Sequence, residues 1–159
     1  MVTYPKNAPM PEADCKNLIM QPQLGRGGAR VVYDVNNDPD AVIKEVHLPF
    51  VGSNMMEWQL WCAVKDTPFA NLFGECLAIS VTGRFLIMER LDDITKSDWP
   101  STPTMPDWLN DLKPGNFGKN AAGHIKIRDY ATVQLGPTLA AAPTYRWAWQ
   151  HSPWARKLV

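Results

Sequence analysis

The chain has 159 residues, of which 45% are hydrophobic and 20% are charged. This composition is that of an ordinary single domain, and it excludes collagen-like and wholly disordered proteins. Because 16 basic residues balance 16 acidic ones, the formal net charge is zero. No overall field therefore favours nucleic acid or an anionic membrane, and we predict neither as a partner.

The cysteines, Cys15, Cys62 and Cys76, form no CxxC pair and are odd in number. This count disfavours a disulfide scaffold and a structural zinc site, and it favours a reducing compartment. The first residues lack the apolar core of a signal peptide, and no stretch approaches the roughly 20 apolar residues that span a bilayer. We therefore predict a cytoplasmic protein.

Residues 1–17 carry three prolines and no clear periodicity, and they predict an extended N-terminal segment. The glycine-rich LGRGGAR then leads into VVYDV and AVIKEV, which are separated by the turn-forming NNDPD. Short β-branched segments around such a turn are typical of a β-hairpin. We therefore predict a glycine loop followed by two antiparallel strands.

The next segment, MMEWQLWCAVKD, has the spacing of an amphipathic helix that Ser53 or Asn54 could cap. The apolar residues that share its predicted face are Met55, Trp58, Trp61 and Cys62. Two further strands are predicted around GECLAIS and RFLIMER, joined by a turn at Thr82 and Gly83. The predicted order is strand, strand, helix, strand, strand.

Residues 92–108 form a stretch in which Pro100, Pro103 and Pro106 are too close together for a continuous helix. We predict a proline-rich linker there. Beyond it, LNDLKPGNFG and IKIRDYA flank the turn-like KNAAGH, which predicts a second loop and hairpin. The last part of the chain, residues 131–159, has room for one or two short helices.

The segment DLKPGN, residues 111–116, resembles the catalytic loop of eukaryotic-type protein kinases. Asp129 lies 13 residues after Asn116, where that family places its metal-binding aspartate. A glycine loop, the lysine of AVIK, a helix glutamate and a strand ending in MER precede DLKPGN in the family's order. The resemblance covers roughly residues 23–131 and is closest to a minimal Ser/Thr kinase, a compact form that suits bacteriophages or mobile elements.

The resemblance implies an α+β fold with the small lobe of a protein kinase, an antiparallel sheet plus one helix, and a strongly reduced second lobe. Residues 18–159 would form this single minimal domain. Its parts would be the small lobe at 18–91, the proline-rich linker at 92–108 and the reduced large lobe at 109–159.

The resemblance also implies ATP and Mg²⁺ as cofactors. Gly25, Gly27 and Gly28 would let backbone amides approach the phosphates, although a lone GxG motif is usually a simple turn. Lys44 would contact the α- and β-phosphates and pair with Glu57 on the helix. Alternatively, Lys44 extends from an edge strand and Glu57 is a surface acid. The apolar neighbours of Glu57 favour the pair, because a carboxylate near apolar surface is best kept when paired.

By the same resemblance, the strand RFLIMERL would bind the adenine. Met88 would lie behind the base, and the Glu89 carbonyl and the Leu91 amide would hydrogen-bond its edge, with Val32 in the same nucleotide-binding set. Because backbone groups would make most of these contacts with the base, the identities of the side chains give little evidence for them. An ordinary strand end is the alternative.

The DLKPGN loop would carry the chemistry. By resemblance, Asp111 would orient the attacking hydroxyl and accept its proton, and Lys113 would neutralise the transferring phosphate. Asn116 and Asp129 would hold Mg²⁺. A solvated turn is the alternative for the loop taken alone.

The chain departs from the family in several places. Arg30 replaces the third glycine of the glycine loop, where it either stiffens the loop or adds a cation facing the phosphates. Leu109 and Asn110 replace His-Arg, so control by an activation-loop phosphate is not expected. Asp-Tyr-Ala at 129–131 replaces Asp-Phe-Gly, and the helices that normally support the catalytic loop are missing.

Tryptophans are the candidate replacements for that missing support, since each can bury a large area. They either belong to an ordinary core or form a partner-binding patch. The residues concerned are Trp99, Trp108, Trp147, Trp149 and Trp154.

The resemblance and its gaps imply two alternative functions. The first is an ATP-dependent phosphotransferase that transfers the γ-phosphoryl group to a Ser or Thr hydroxyl of a protein substrate. The second is a kinase-derived binding module, of viral or effector type, that acts stoichiometrically on a host protein in the host cytoplasm. The short second lobe also allows a homodimer in which one chain completes the other.

Overall fold

The computed structural model describes residues 2–5, 8–47, 52–101, 104–106, 109, 111–132 and 145–147. Their fold is α+β, as predicted, with mostly antiparallel sheets and two α-helices where one was expected. The helices are α1 (Glu12–Asn17) and α2 (Gly52–Val64). The strands are β1 (Ile19–Arg26), β2 (Arg30–Val35), β3 (Asp38–Val46), β4 (Cys76–Ile79), β5 (Phe85–Glu89), β6 (Asp92–Asp93), β7 (Thr104–Pro106), β8 (Phe117–Lys119), β9 (Ile125–Ile127) and β10 (Tyr145–Trp147). Short 3-10 helices span Pro68–Leu72, Lys96–Ser101 and Pro114–Asn116.

The main sheet has five strands in the order β1-β2-β3-β5-β4, and every neighbouring pair is antiparallel. The predicted hairpin is β2–β3, in which Val32 faces Lys44, and the predicted second pair is β4–β5. Strand β1 was not predicted, because its sequence contains Pro22 and lacks alternation. It lies at the sheet edge, where a proline costs no ladder hydrogen bond.

The two faces of the sheet carry separate cores, because successive side chains of a strand point to opposite faces. On one face, Ile43, Phe85 and Ile87 pack with the N-terminal residues Met10 and Cys15. The opposite face packs against α2 and the second half of the chain. Its buried residues include Val42, Leu86, Met88, Leu60, Phe73, Phe117 and Tyr130.

The N-terminal segment differs from the extended lead-in that the sequence predicts. It forms the short helix α1, and the thiol-bearing residue Cys15 is fully buried. The backbone of Met10 donates to the Ile79 carbonyl at 2.8 Å and accepts from Val81 at 2.9 Å. The segment therefore covers one face of the sheet, a contact that local periodicity does not reveal.

Helix α2 begins at Gly52, so neither Ser53 nor Asn54 lies ahead of it as the predicted cap. Its buried residues are Asn54, Glu57, Leu60 and Val64. The predicted apolar face is wrong in part, because Met55 and Cys62 are exposed. Polar residues of α2 can be buried instead, because the sheet supplies hydrogen-bond partners for them. The Asn54 amide donates to the carbonyls of Lys44 at 3.1 Å and Arg84 at 2.9 Å, so a polar residue can occupy the buried side.

The second half of the chain forms the sheet β6-β8-β9 and contains the predicted hairpin, with Phe117 opposite Ile127. The predicted linker at 92–108 includes β6, a 3-10 helix and β7, and Met105 within it is fully buried. It is therefore part of the packed structure. After Val64, the described residues contain no α-helix.

Several predictions for the C-terminal part lie outside the described residues. The described piece, β10, pairs with β7 as a strand, where the sequence suggested helix. Trp108, Trp149 and Trp154 lie outside the described residues, as do the side-chain surroundings of Trp99 and Trp147. Among the described helices, none is long and apolar enough to cross a membrane.

Gly118 is required by a close backbone approach. A Cβ atom at this position would lie 2.5 Å from Cβ of Leu91 and 3.0 Å from the carbonyl oxygen of Asp92. Only glycine allows β8 to lie this close to the segment that follows β5. The contact joins the five-stranded sheet to the second half of the chain.

The cysteines provide a direct test of this fold. Cys62 is exposed, whereas Cys15 and Cys76 are buried, and burial raises the pKa of the Cys15 thiol to about 11. Because thiolates are the reactive form, we expect one thiol to react rapidly with an aromatic disulfide reagent at pH 8. All three should react in denaturant. Rapid reaction of a second thiol in the native protein would contradict the described packing.

Candidate functional site

The centre of the site is the carboxylate of Glu57, which is fully buried. It accepts from Arg30 through both guanidinium Nη atoms, at 2.7 and 3.2 Å, and from Lys44 Nζ at 3.0 and 3.3 Å. The backbone N–H of Tyr130 donates to it at 2.9 Å. The predicted Lys44–Glu57 pair is thus present, and it joins β3, the central strand of the sheet, to α2. The edge-strand alternative for Lys44 is wrong.

A second carboxylate, Asp129, accepts from Arg30 Nη2 at 2.6 Å, and its side chain is 47% exposed. Burial raises the pKa of Asp129, but Arg30 and Lys44 together outweigh it and hold the pKa below the usual value. Burial works against the charge of Arg30, yet Glu57 and Asp129 raise its pKa. For Lys44, burial dominates over the attraction of Glu57 and lowers the pKa.

These charged groups lie beside an open cleft of about 570 Å³. The cleft runs between the glycine loop, the inner face of β2 and β3, the end of β5 and the segment at Asp129. The predicted residues that line it are Gly25, Gly27, Val32, Lys44, Met88, Glu89, Leu91 and Asp129. Five predicted residues do not line the cleft: Gly28, Glu57, Asp111, Lys113 and Asn116. Gly115 of the DLKPGN loop does line it.

The glycines of the glycine loop, residues 25–28, have open space where a side chain would lie. A Cβ atom at Gly25 or Gly28 would meet nothing within 4 Å, and one at Gly27 only the Arg30 carbonyl at 3.8 Å. None of these glycines has a positive φ. Neither packing nor backbone conformation therefore demands glycine here, and close approach of a ligand to the backbone is a reason that fits the cleft.

The end of β5 is tied down by a contact that the sequence did not predict. The Glu89 carboxylate accepts from Lys126 Nζ at 2.7 and 3.0 Å, from Asn120 at 3.1 Å and from the backbone of Glu75 at 3.1 Å. Burial would raise the pKa of Glu89, but these hydrogen bonds lower it. The side chain thus anchors the wall of the cleft to β9 and leaves the backbone of 89–91 beside the open space.

The DLKPGN loop is held by its own polar side chains. The Asn116 amide donates to Asp111, to the backbone oxygen at 2.7 Å and to Oδ2 at 2.9 Å. Lys113 Nζ donates to the same Oδ2 at 3.0 Å. Asp111 has a φ of 52°, a conformation that aspartate tolerates better than most residues. The structure brings these three predicted residues together. Asn116 is buried, whereas the side chains of Asp111 and Lys113 are 40% and 45% exposed, as the solvated-turn alternative expects of them.

Arg128 connects the two groups of residues, and sequence reasoning missed it. Its backbone N–H donates to the Asn116 carbonyl at 2.7 Å, and its carbonyl accepts from Lys44 Nζ. Its guanidinium donates to the carbonyls of Gly115 at 3.1 Å and Leu91 at 3.2 Å. The only sequence signal was its place immediately before Asp129. One residue therefore links the DLKPGN loop to β3 and to the wall of the cleft.

Tyr130, which follows Asp129, packs into the core. Its ring meets Phe73 edge to face at 4.9 Å, and it is almost fully buried. Its hydroxyl donates to the Gly74 carbonyl at 2.9 Å and contacts Cys76 Sγ at 3.0 Å. Burial raises the pKa of this hydroxyl well above its usual value. The buried ring fixes the residue next to Asp129.

Asn116 and Asp129 carry the oxygen donors that the resemblance assigns to Mg²⁺. Because the nitrogen of the Asn116 amide donates to Asp111, its oxygen is the atom left to bind a metal, and Asp129 offers a carboxylate. No cluster of three or more His, Cys, Asp or Glu suited to a metal occurs among the described residues. Mg²⁺ commonly uses one or two protein carboxylates and takes its other ligands from phosphates and water.

A scan against protein-family models and a search of curated proteins found no match to this sequence. Two cations, Arg30 and Lys44, and two carboxylates, Glu57 and Asp129, lie beside a cleft with an open glycine loop. Such a site can bind a phosphate-bearing ligand through a buried ammonium and a guanidinium, beside glycines that leave room for close approach.

Proposed function

We propose that the protein is an ATP-dependent phosphotransferase resembling a minimal Ser/Thr protein kinase, with a kinase-like small lobe and a reduced second lobe. The observation that carries this proposal is the buried Lys44–Glu57 pair, at 3.0 Å, beside a cleft whose glycine loop needs no glycine for its own fold. The resemblance of the DLKPGN loop and Asp129 to kinase motifs supports the same function.

The cleft divides into parts suited to the parts of a nucleotide. Val32, Val42 and Met88 offer apolar surface for a base, next to the backbone at the end of β5. Lys44 would hold the phosphates, and the glycine loop would let them lie close to its backbone. Because Glu57 holds the Lys44 ammonium, the cation is oriented before the ligand arrives, which reduces the ordering cost of binding.

Asp111 is the group that would accept a proton. In the proposed reaction the acceptor hydroxyl attacks the γ-phosphorus, the bond to the bridging oxygen of ADP breaks, and Asp111 takes the hydroxyl proton. Lys113, at 3.0 Å from Asp111, would offset charge on the transferring group. Mg²⁺ held by Asn116 and Asp129 would neutralise phosphate charge when bound.

A second function has its own supporting observation. Among the described residues after Val64 there is no α-helix, so the DLKPGN loop rests on short strands and 3-10 helices. The platform that a protein kinase uses for its peptide substrate is built largely from helices. We therefore keep, as the alternative, a kinase-derived module that binds a host protein stoichiometrically.

Mg-ATP should raise the melting temperature if the cleft binds nucleotide. A ligand at about 100 times its dissociation constant stabilises the folded state by about 2.7 kcal/mol. Asp129→Asn should remove the magnesium-dependent part of the shift. Asp93→Asn is the matched control, because Asp93 lines the same cleft but is 85% exposed and should keep the shift. No shift with millimolar Mg-ATP, ATP or ADP would contradict the proposal.

A further inference from the structure

Arg30 lies at the end of the glycine loop, where its carbonyl accepts from the Gly27 N–H at 2.8 Å. It begins β2, two residues before Val32, so both side chains point to the face of the sheet that lines the cleft. The guanidinium is nearly buried and forms a bridge between Glu57 and Asp129. The sequence left its role open, between stiffening the loop and facing the phosphates.

The two halves of this bridge differ in exposure. The half that contacts Glu57 is bidentate, and the Glu57 carboxylate is fully buried. The half that contacts Asp129 is a single Nη2 contact at 2.6 Å to a side chain that is 47% exposed. Buried bidentate pairs are held firmly, whereas ion pairs at the solvent edge contribute little. The Asp129 contact is therefore the one that can exchange.

The charges of this cluster balance without any metal. Arg30 and Lys44 carry two positive charges, and Glu57 and Asp129 carry two negative ones. A divalent cation that binds Asp129 at Oδ1 takes the place of the Nη2 group of Arg30. A guanidinium and a metal ion compete for the same carboxylate oxygen, because both need its lone pairs.

We propose that Arg30 is bound to the Asp129 carboxylate in the metal-free protein and is displaced from it when a divalent metal binds. The released Nη2 group stays anchored beside the cleft through Glu57 and becomes a second cation for the nucleotide phosphates, next to Lys44. This inference rests on the proposed function, because it takes Asp129 as a metal ligand. Arg30 then couples metal binding to phosphate binding within one side chain.

The first test measures Mn²⁺, a paramagnetic substitute for Mg²⁺, binding to the full chain without nucleotide. Free Mn²⁺ is measured by electron paramagnetic resonance. Arg30→Ala should bind Mn²⁺ about two- to fivefold more tightly, the gain expected for removing a weak competing ion pair. Arg26→Ala is the matched control, because Arg26 lines the same cleft and is exposed, and its loss removes the same charge.

Equal Mn²⁺ affinities of Arg30→Ala and Arg26→Ala, or weaker binding by Arg30→Ala, would overturn the inference. The gain should vanish in the double variant Arg30→Ala with Asp129→Asn, which assigns it to that carboxylate. If Arg30→Ala does not fold, Arg30→Lys provides the test. The ammonium of the introduced lysine can pair with Glu57, but it lacks the second nitrogen with which the guanidinium reaches Asp129. This variant should therefore also gain Mn²⁺ affinity.

The second test measures Mg-ADP binding by calorimetry. Arg30→Ala should bind Mg-ADP at least severalfold more weakly than Arg26→Ala does, although it binds the metal alone more tightly. A residue that only supports Glu57 would change both affinities in the same direction, which would count against the inference. Failure of the wild type to bind Mg-ADP would contradict the proposed function, and the Mn²⁺ titration would still decide whether Arg30 occupies Asp129.

Discussion

Replacing Glu57 with alanine is expected to lower the free energy of unfolding by about 3–5 kcal/mol, the usual cost of removing one partner from a buried ion pair. The carboxylate is fully buried and accepts from Arg30, from Lys44 and from the Tyr130 backbone. Its loss leaves two nearly buried cations without their shared counterion and one buried N–H without its acceptor. Urea unfolding measures the change.

The control for this variant is Glu45→Ala, on the strand that also carries Lys44. Glu45 pairs with Arg84 at 2.6 Å, but the Arg84 side chain is 41% exposed. Exposed pairs contribute about 0–1 kcal/mol, so this variant should unfold close to the wild type. Similar losses for Glu57→Ala and Glu45→Ala would show that the buried cluster does not hold the five-stranded sheet and α2 together.

Mg-ATP binding should also weaken in Glu57→Ala, because Lys44 loses its orientation.

Asp111→Asn is expected to reduce phosphoryl transfer by about 10²–10⁴-fold, the contribution typical of a general base, while leaving the Mg-ATP melting shift nearly intact. Asparagine has the same shape and can still accept one hydrogen bond from Lys113 or Asn116, but it cannot take the hydroxyl proton. Transfer is measured as label incorporated from γ-labelled ATP into a lysate or into the protein itself.

Asp92→Asn serves as the control for transfer, because Asp92 lines the cleft, is 72% exposed and has no assigned part in the chemistry. It should retain labelling. If the wild type binds Mg-ATP but labels nothing, and Asp111→Asn still captures the same protein partner, the stoichiometric binding module is the better account. Equal labelling by wild type and Asp111→Asn would instead exclude Asp111 as the base.

Much of the candidate site could be predicted because its motifs are short and ordered along the chain. The pairing of Lys44 with Glu57 was implied by the resemblance and favoured by the apolar neighbours of Glu57, and the contact is present at 3.0 Å. The cluster of Asp111, Lys113 and Asn116 spans six residues, so its local geometry depends on few distant contacts.

Other features could not be predicted for a physical reason. The apolar stripe of α2 suggested that Met55 faces the core, yet Asn54 and Glu57 are buried, because partners on the sheet satisfy them. Hydrophobic periodicity treats polar residues as outward-facing, and it fails where a distant cation or carbonyl compensates the cost of burial. Glu89 likewise contacts Lys126, 37 residues away.

The sequence by itself determined the local pieces: the β2–β3 and β8–β9 hairpins, the glycine loop and the order of the charged motifs. These depend on neighbouring residues, whose turn preferences and alternation act over a few positions. Only the tertiary structure decided which side of α2 is buried and what Arg30 contacts. Arg30 meets Glu57 and Asp129, which are 27 and 99 residues away, and contacts at that separation depend on how the sheets pack.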